Sequence, residues 1–285
     1  MSEIRYDKLN DLHVIIAPER LHRPDSSPNQ AVDAGGGVCP FCEGNEAMTP
    51  PEIFALREPG GFANEAGWQT RVVPNLYKAV QIETPYRHHY GLFEHWEGFG
   101  AHEIIIDTPE HLTSMSEWSE STLVGWLQTL RARVTDLRRD HRIAYISLFK
   151  NEGRMAGATQ AHSHTQLIAL PIIPKTDRQR YERSYEHYKV SGKAMLESML
   201  LHEEEDGQRV IGGNGDFSAF CPYASAYPFE VMITSKKELG QIDTLSDKSI
   251  GELAPLLLSI LKKMKRELGS FDFNLVRKRP HIRSS

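Results

Sequence analysis

Asn151-Glu152-Gly153-Arg154-Met155-Ala156-Gly157-Ala158-Thr159-Gln160-Ala161-His162-Ser163-His164-Thr165-Gln166 is the stretch on which the reading of this chain turns. A glycine-containing loop, the usual cradle for a phosphate, runs directly into two histidines and a glutamine spaced two apart. In a β-strand, residues i, i+2 and i+4 share one face. His162, His164 and Gln166 would then form a polar stripe with neighbouring Cα atoms roughly 7 Å apart. The apolar run that follows, Leu167-Ile168-Ala169-Leu170-Pro171, reads as a buried strand that ends at its proline. The pattern is that of a site for handling phosphate.

The rest of the chain frames that site. With 285 residues there is enough sequence for a full core, in one large domain or two modest ones. A net charge of −5 argues against a general nucleic-acid binder, whose footprint is basic. No apolar run approaches membrane-spanning length, and the start, Met1-Ser2-Glu3-Ile4-Arg5, lacks the apolar segment of a signal peptide. Three cysteines make no disulfide framework, so the expected compartment is the cytoplasm.

Hydrophobic patterning gives strands over 12–18, 71–75, 103–107 and 144–149 and a helix over 119–139, where Leu123, Trp126, Leu127, Leu130, Val134 and Leu137 recur at helical spacing. After Pro171 and Pro174 the character changes. Residues 175–205 are highly charged and helical, 217–221 and 229–234 read as strands, and 247–268 as an amphipathic helix. The order strands, helix, strands occurs twice. The fold class expected is α+β, in two fused halves, 1–172 and 173–285, each an antiparallel sheet with packed helices.

Cys39 and Cys42 form a C-x₂-C pair, which in a reducing compartment points to metal binding or redox chemistry. A structural zinc needs about four ligands. The third cysteine, Cys221, is distant in a Phe-Cys-Pro context and reads as a packing residue, so histidines must complete the set. His162 and His111 are the candidates, with His102 a rival for His111. Cys39, Cys42, His111 and His162 would tie an N-terminal loop to the catalytic strand.

With His162 on the metal, His164 remains for chemistry. Imidazole is nucleophilic near neutral pH and forms covalent intermediates. His164 is the candidate nucleophile towards a nucleotide's α-phosphorus, and Gln166 offers an amide N–H to a phosphoryl oxygen. Backbone N–H groups of the loop from Gly153 through Gly157 to Thr159 would form an anion nest, with the Thr159 hydroxyl a further donor.

These residues resemble the galactose-1-phosphate uridylyltransferase family, the branch of the histidine-triad superfamily with two fused half-domains. Its pattern N-x-G-x-x-x-G-[AC]-[ST]-x-x-H-x-H-x-Q is met by Asn151, Gly153, Gly157, Ala158, Thr159, His162, His164 and Gln166. Its R-x-x-R-P is met by Arg20, Arg23 and Pro24, its zinc pair by Cys39 and Cys42, and its asparagine after a short strand by Asn75. Gly100-Ala101-His102-Glu103, Asp107-Thr108-Pro109-Glu110-His111 and Phe220-Cys221-Pro222-Tyr223-Ala224 are similar matches.

The resemblance implies a ping-pong nucleotidyl transfer. A nucleotide sugar gives its nucleoside monophosphate to His164 and releases a sugar 1-phosphate, and a second phosphate acceptor takes the nucleotidyl group. It implies one structural zinc, ribose or phosphate contacts from Asn75, Asn151 and Thr159, Phe41 near the base, Arg20 and Arg23 as phosphate contacts across a dimer interface, and hence a homodimer. The family's uridylyltransferases have H-P-H-G-Q where this chain has His162-Ser163-His164-Thr165-Gln166, a version similar to ADP-glucose phosphorylase relatives. Nucleobase and acceptor therefore stay open. The family's closing strand of the form H-W-H-I-E is missing after Phe271-Asp272-Phe273-Asn274-Leu275, which implies a second half shortened at its end and no second metal. The favoured activity is transfer to a hexose 1-phosphate. The alternatives are a nucleotide-sugar phosphorylase using inorganic phosphate and a zinc-stabilised nucleotide-binding protein without turnover.

Overall fold

A computed structural model describes residues 2–22 and 38–277. Arg23 and Pro24 lie outside the described residues. Strands β1 (Glu3–Asp7), β2 (Leu12–Ile16), β3 (Phe54–Arg57), β4 (Trp68–Pro74), β5 (His88–His89), β6 (His95–Glu97) and β7 (Ala101–Ile106) precede helix α1 (Glu120–Leu137). Strands β8 (Tyr145–Glu152) and β9 (His164–Leu170) follow, then helices α2 (Lys175–Ser191) and α3 (Met195–Asp206). Strands β10 (Val210–Gly213), β11 (Phe217–Phe220) and β12 (Met232–Ser235), helix α4 (Asp247–Leu268) and strand β13 (Phe273–Val276) complete the described chain. The class is α+β with antiparallel sheets and packed helices, as the patterning implies. No described helix is long and apolar enough to cross a membrane.

The central sheet has six strands in the order β13-β8-β9-β7-β4-β3. Smaller sheets of order β2-β1-β6-β5 and β10-β11-β12 flank it. Helix α1 starts where Ser119 accepts a hydrogen bond from the Thr122 N–H at 3.0 Å, and α4 where Ser246 does the same for Ser249 at 3.1 Å. Each cap satisfies a donor that the first helical turn leaves without a partner. Both helices press apolar stripes on one face of the central sheet: Leu123, Trp126, Leu130 and Val134 from α1, Ile250, Ala254 and Leu257 from α4. Fully burying a side chain of this size contributes about 1.5–3 kcal/mol.

Strand parity then decides what each face carries. Register pairs Ile105 with Thr165 and Glu103 with Leu167 on the helix side. It pairs Ile106 with His164 and Ile104 with Gln166 on the opposite side, where Trp68, Val73 and Phe41 pack. Phe149 stands opposite Gln166, and continuing that register by two places sets Asn151 opposite His164. His164 and Gln166, read as catalytic, and Asn151, read as substrate-binding, thus lie on the face that the helices leave uncovered. Strand β9 begins at His164, so the strand stripe comprises His164 and Gln166, with His162 in the bend just before it.

Three elements differ from the patterning. The helix expected over 175–205 is two, because Gly192 at φ +70° closes α2 in a left-handed cap. The 12–18 strand pairs with β1, whose sequence gave no signal. Strand β13 does not extend a sheet made of its sequence neighbours; it pairs with β8, setting Asn274 opposite Asn151.

Candidate functional site

The loop before β3 and the turn after β7 meet at the start of β9. There the Cys39 Sγ lies 3.6 Å from His162 Nδ1, the Cys42 Sγ 3.6 Å from the same nitrogen, and the Cys42 Sγ 3.4 Å from His111 Nδ1. All four ligand atoms fall within 4.8 Å of one another. A tetrahedral centre with ordinary zinc bond lengths separates sulfur and nitrogen ligands by roughly 3.5 Å. Neither cysteine is in a disulfide. The group could hold a metal ion.

The surroundings suit that use. His162 is fully buried and its Nε2–H donates to the Thr108 carbonyl at 2.8 Å, so the lone pair is on Nδ1, the atom facing the sulfurs. Burial pushes the His162 imidazole down to about 4, which leaves it neutral at pH 7. Burial and the adjoining Cys39 sulfur push the Cys42 thiol up to about 11. The Cys42 sulfur, which resists ionisation alone, becomes a thiolate when a cation shares its charge. His102, the rival ligand, is elsewhere: its ring faces the Ala79 N–H, Asn75 and Gln166.

His164 is 6 % exposed. Its Nδ1 lies 2.9 Å from the His162 carbonyl oxygen, which can only accept, so Nδ1 carries the proton and Nε2 the lone pair. Phe41 packs edge-on against both rings, with centroids 6.0 Å from His162 and 5.7 Å from His164. On the helix side Trp126 Nε1–H donates to the Thr165 hydroxyl at 2.9 Å, which ties β9 to α1 directly after His164. The Cys39-Cys42-His111-His162 group and His164 are thus joined through one backbone, while the two imidazoles serve different partners.

The remaining candidates distribute as follows. Asn75 follows β4, and its N–H donates to the His102 carbonyl at 2.8 Å, placing it at the Gln166 end of the site. Arg20 donates to the Tyr77 carbonyl at 2.6 Å, beside the Asn75 turn. Asn151 Oδ1 accepts from Asn274 Nδ2 at 2.9 Å. Gly153 and Gly157 take φ of +85° and +87°, which glycine adopts without strain. A Cβ on Gly153 would lie 2.1 Å from the Asp272 carboxyl carbon. Thr159 is half-buried at the end of the loop.

The loop N–H groups do not all face outward as an anion nest requires. Met155 N–H donates to Asp272 Oδ2 at 2.6 Å, Gly157 N–H to the Arg154 carbonyl at 2.9 Å, and Ala158 N–H to the Gly153 carbonyl at 3.1 Å. These three donors serve a nucleotide phosphate only by changing partners. Gly153 is close to Asp272 because the C-terminal strand rests on the loop, a packing reason for glycine that the phosphate reading passed over.

The patterning also missed a buried ion pair behind the site. Lys150 Nζ lies 2.9 Å from Asp107 Oδ2, 2.6 Å from Ser163 Oγ and 3.3 Å from the His164 carbonyl. Lys150 and Asp107 are 1 % and 0 % exposed. The signal was present: each is the charged residue at the end of an apolar run whose parity points at the helices.

Residues 1–174 match the family described as galactose-1-phosphate uridyl transferase, N-terminal domain. The chain belongs to the galactose-1-phosphate uridyl transferase family. Within it, the ADP-glucose phosphorylase of Arabidopsis thaliana is 30% identical over 278 residues, covering 95% of this chain and 76% of that relative. The galactose-1-phosphate uridylyltransferase of Saccharomyces cerevisiae is 25% identical over 282 residues, covering 92% and 74%. A solved ADP-glucose phosphorylase from Arabidopsis thaliana, with bound ADP-glucose, superposes with a TM-score of 0.72 at 28% identity, covering 98% of this chain and 83% of that one. A solved uridylyltransferase reaches 0.79 at 24% identity over 99% and 82%, a shared fold.

Proposed function

We propose that the protein moves a nucleoside monophosphate from a nucleotide sugar to a hexose 1-phosphate through a nucleotidyl-His164 intermediate. The observation that carries this is the bond from His164 Nδ1–H to the His162 carbonyl, which leaves the lone pair on Nε2. In the first step Nε2 attacks the α-phosphorus, and the bond to the sugar 1-phosphate breaks with its electron pair on the leaving oxygen. In the second, a phosphate oxygen of the acceptor attacks the same phosphorus and the N–P bond returns its pair to Nε2. A neutral nitrogen nucleophile adds no negative charge to the approach. Gln166 would donate to a phosphoryl oxygen, Asn75, Asn151 and Thr159 would hold ribose or phosphate, and Phe41 would line the base side.

A second reading gives the second step to inorganic phosphate. It is supported by the 30% identity to an ADP-glucose phosphorylase and by Ser163 between the histidines, whose hydroxyl meets Lys150 at 2.6 Å where a proline could offer none. One experiment separates them. Donors labelled at the α-phosphorus, UDP-glucose and ADP-glucose in parallel, should leave acid-labile label on the protein. Galactose 1-phosphate should then discharge it faster than phosphate does. Discharge by phosphate alone would establish the phosphorylase, and no label from either donor would leave nucleotide binding without turnover.

The metal of this reading is one structural zinc on Cys39, Cys42, His111 and His162, which holds the N-terminal loop against β9 so that Phe41 stays beside His164. Cys42→Ser should lower zinc from about one per chain to near zero, measured by elemental analysis after dialysis; unchanged zinc would rule out this ligand set. The setting is the cytoplasm, in keeping with three cysteines outside disulfides. A homodimer is part of the reading through Arg20.

A further inference from the structure

His102 sits on the site face of β7, two residues before Ile104, and is 5 % exposed. Its ring is held between a backbone donor and a side-chain amide. The Ala79 N–H lies 3.0 Å from Nδ1. A backbone N–H can only donate, so Nδ1 must hold the lone pair and the proton of the neutral ring must sit on Nε2. Gln166 Oε1 stands 3.3 Å from that Nε2. Asn75 does not supply the acceptor: its Oδ1 takes the Tyr77 N–H at 2.9 Å, and its Nδ2, 3.0 Å from the same Nε2, has no lone pair to offer the ring N–H and must direct its own N–H bonds past it.

This chain of donors has one consistent end. The Gln166 amide presents oxygen to His102, because the buried Nε2–H needs an acceptor and Asn75, whose oxygen serves Tyr77, offers it none. Once the oxygen is committed, the amide nitrogen is turned the other way, on the strand face that Gln166 shares with His164. We infer that His102 is a positioning residue that locks the Gln166 side chain so that its NH₂ group, and not its carbonyl oxygen, meets the phosphoryl group being transferred. The wrong orientation would place a carbonyl dipole against an anionic oxygen at the point where charge develops. The inference rests on the nucleotidyl-transfer reading above and adds to it the origin of the glutamine's polarity. The order of information is local: Ala79 backbone, His102 ring, Gln166 amide, phosphate.

His102→Phe keeps the ring volume and removes Nε2–H. The rate of nucleotidylation of His164 should fall about 10²-fold, the scale for loss of one aligned donor to a developing oxyanion. Gln166→Ala should fall as far, and the His102→Phe/Gln166→Ala double variant no further, because both changes remove one device. His102→Gln restores an N–H near the Nε2 position and should recover part of the rate. A role in folding alone would move zinc content and melting temperature with the rate, and would make the double variant the product of the singles. Nitrogen-15 spectra of histidine-labelled wild-type protein test the tautomer without any substrate: His102 should show an unprotonated Nδ1 and a protonated Nε2. A protonated Nδ1, or multiplicative losses in the double variant, would overturn the role of His102 and leave nucleotidyl transfer standing. A wild-type protein that takes no label from UDP-glucose or ADP-glucose would remove the functional reading and this role with it.

Discussion

Replacing His164 by alanine should stop nucleotidyl transfer, with a loss of about 10⁴-fold or more in turnover and no covalent label on the protein. In the proposed mechanism the imidazole is a reactant and not only a stabiliser. Without it the donor and acceptor phosphates must meet directly, two anions in one pocket, and the route through a covalent intermediate is closed. The geometry permits a clean test. The His164 Nδ1–H bonds the His162 backbone carbonyl, while the His162 ring faces Cys39 and Cys42. The variant should therefore keep its zinc and its melting temperature. Phe41, at 5.7 Å from the lost ring, closes part of the space. Incubation with α-labelled UDP-glucose or ADP-glucose followed by gel autoradiography reads the result. Label retained by His164→Ala at the wild-type level would transfer the nucleophile to another residue and undo the mechanism.

Much of this site was legible because its parts carry their own periodicity. The spacing of His164 and Gln166 is a strand repeat, and the structure sets both on one face. Cys39 and Cys42 declare a paired ligand set through spacing, and the need for four donors leads to histidines 69 and 120 residues away from Cys42. Helices α1 and α4 are written in their caps, Ser119 and Ser246, and in their apolar stripes.

What stayed hidden is the identity of partners. Alternation says that a segment is a strand but not which strand it joins. The patterning names no strand over 273–276, and nothing local says that these residues pair with β8 and set Asp272 and Asn274 on the glycine loop. The β5–β6 hairpin is short and rich in histidine and glutamate, with no apolar alternation to mark it. His102 fits the pattern of a ligand as well as that of a hydrogen-bonding residue. Only the Ala79 N–H, supplied by a loop 23 residues earlier, decides between them.

The buried Lys150–Asp107 pair should show the largest stability effect in the molecule. Lys150→Met removes the cation, whose Nζ lies 5.3 Å from the centre of the Trp118 ring, and leaves the Asp107 carboxylate 0 % exposed and without it. Asp107 Oδ1 has no hydrogen-bond partner among the described residues, so the lysine at Oδ2 is the principal compensation for its charge. Removing one member of such a pair costs about 3–5 kcal/mol, whereas replacing both by uncharged groups of similar volume is often close to neutral. The urea midpoint of Lys150→Met should fall accordingly, and Asp107→Asn in the same chain should restore much of it. Arg131→Ala is the control, because its Asp247 partner is 77% exposed and the pair is worth about 1 kcal/mol or less. The effect should reach catalysis too. Lys150 also holds Ser163 Oγ and the His164 carbonyl, so the doubly substituted chain, refolded and stable, should still nucleotidylate more slowly than wild type. Equal midpoints for Lys150→Met and Arg131→Ala would mean that the pair is solvated in solution, and the rigid seat assigned here to the nucleophile would have to come from the sheet alone.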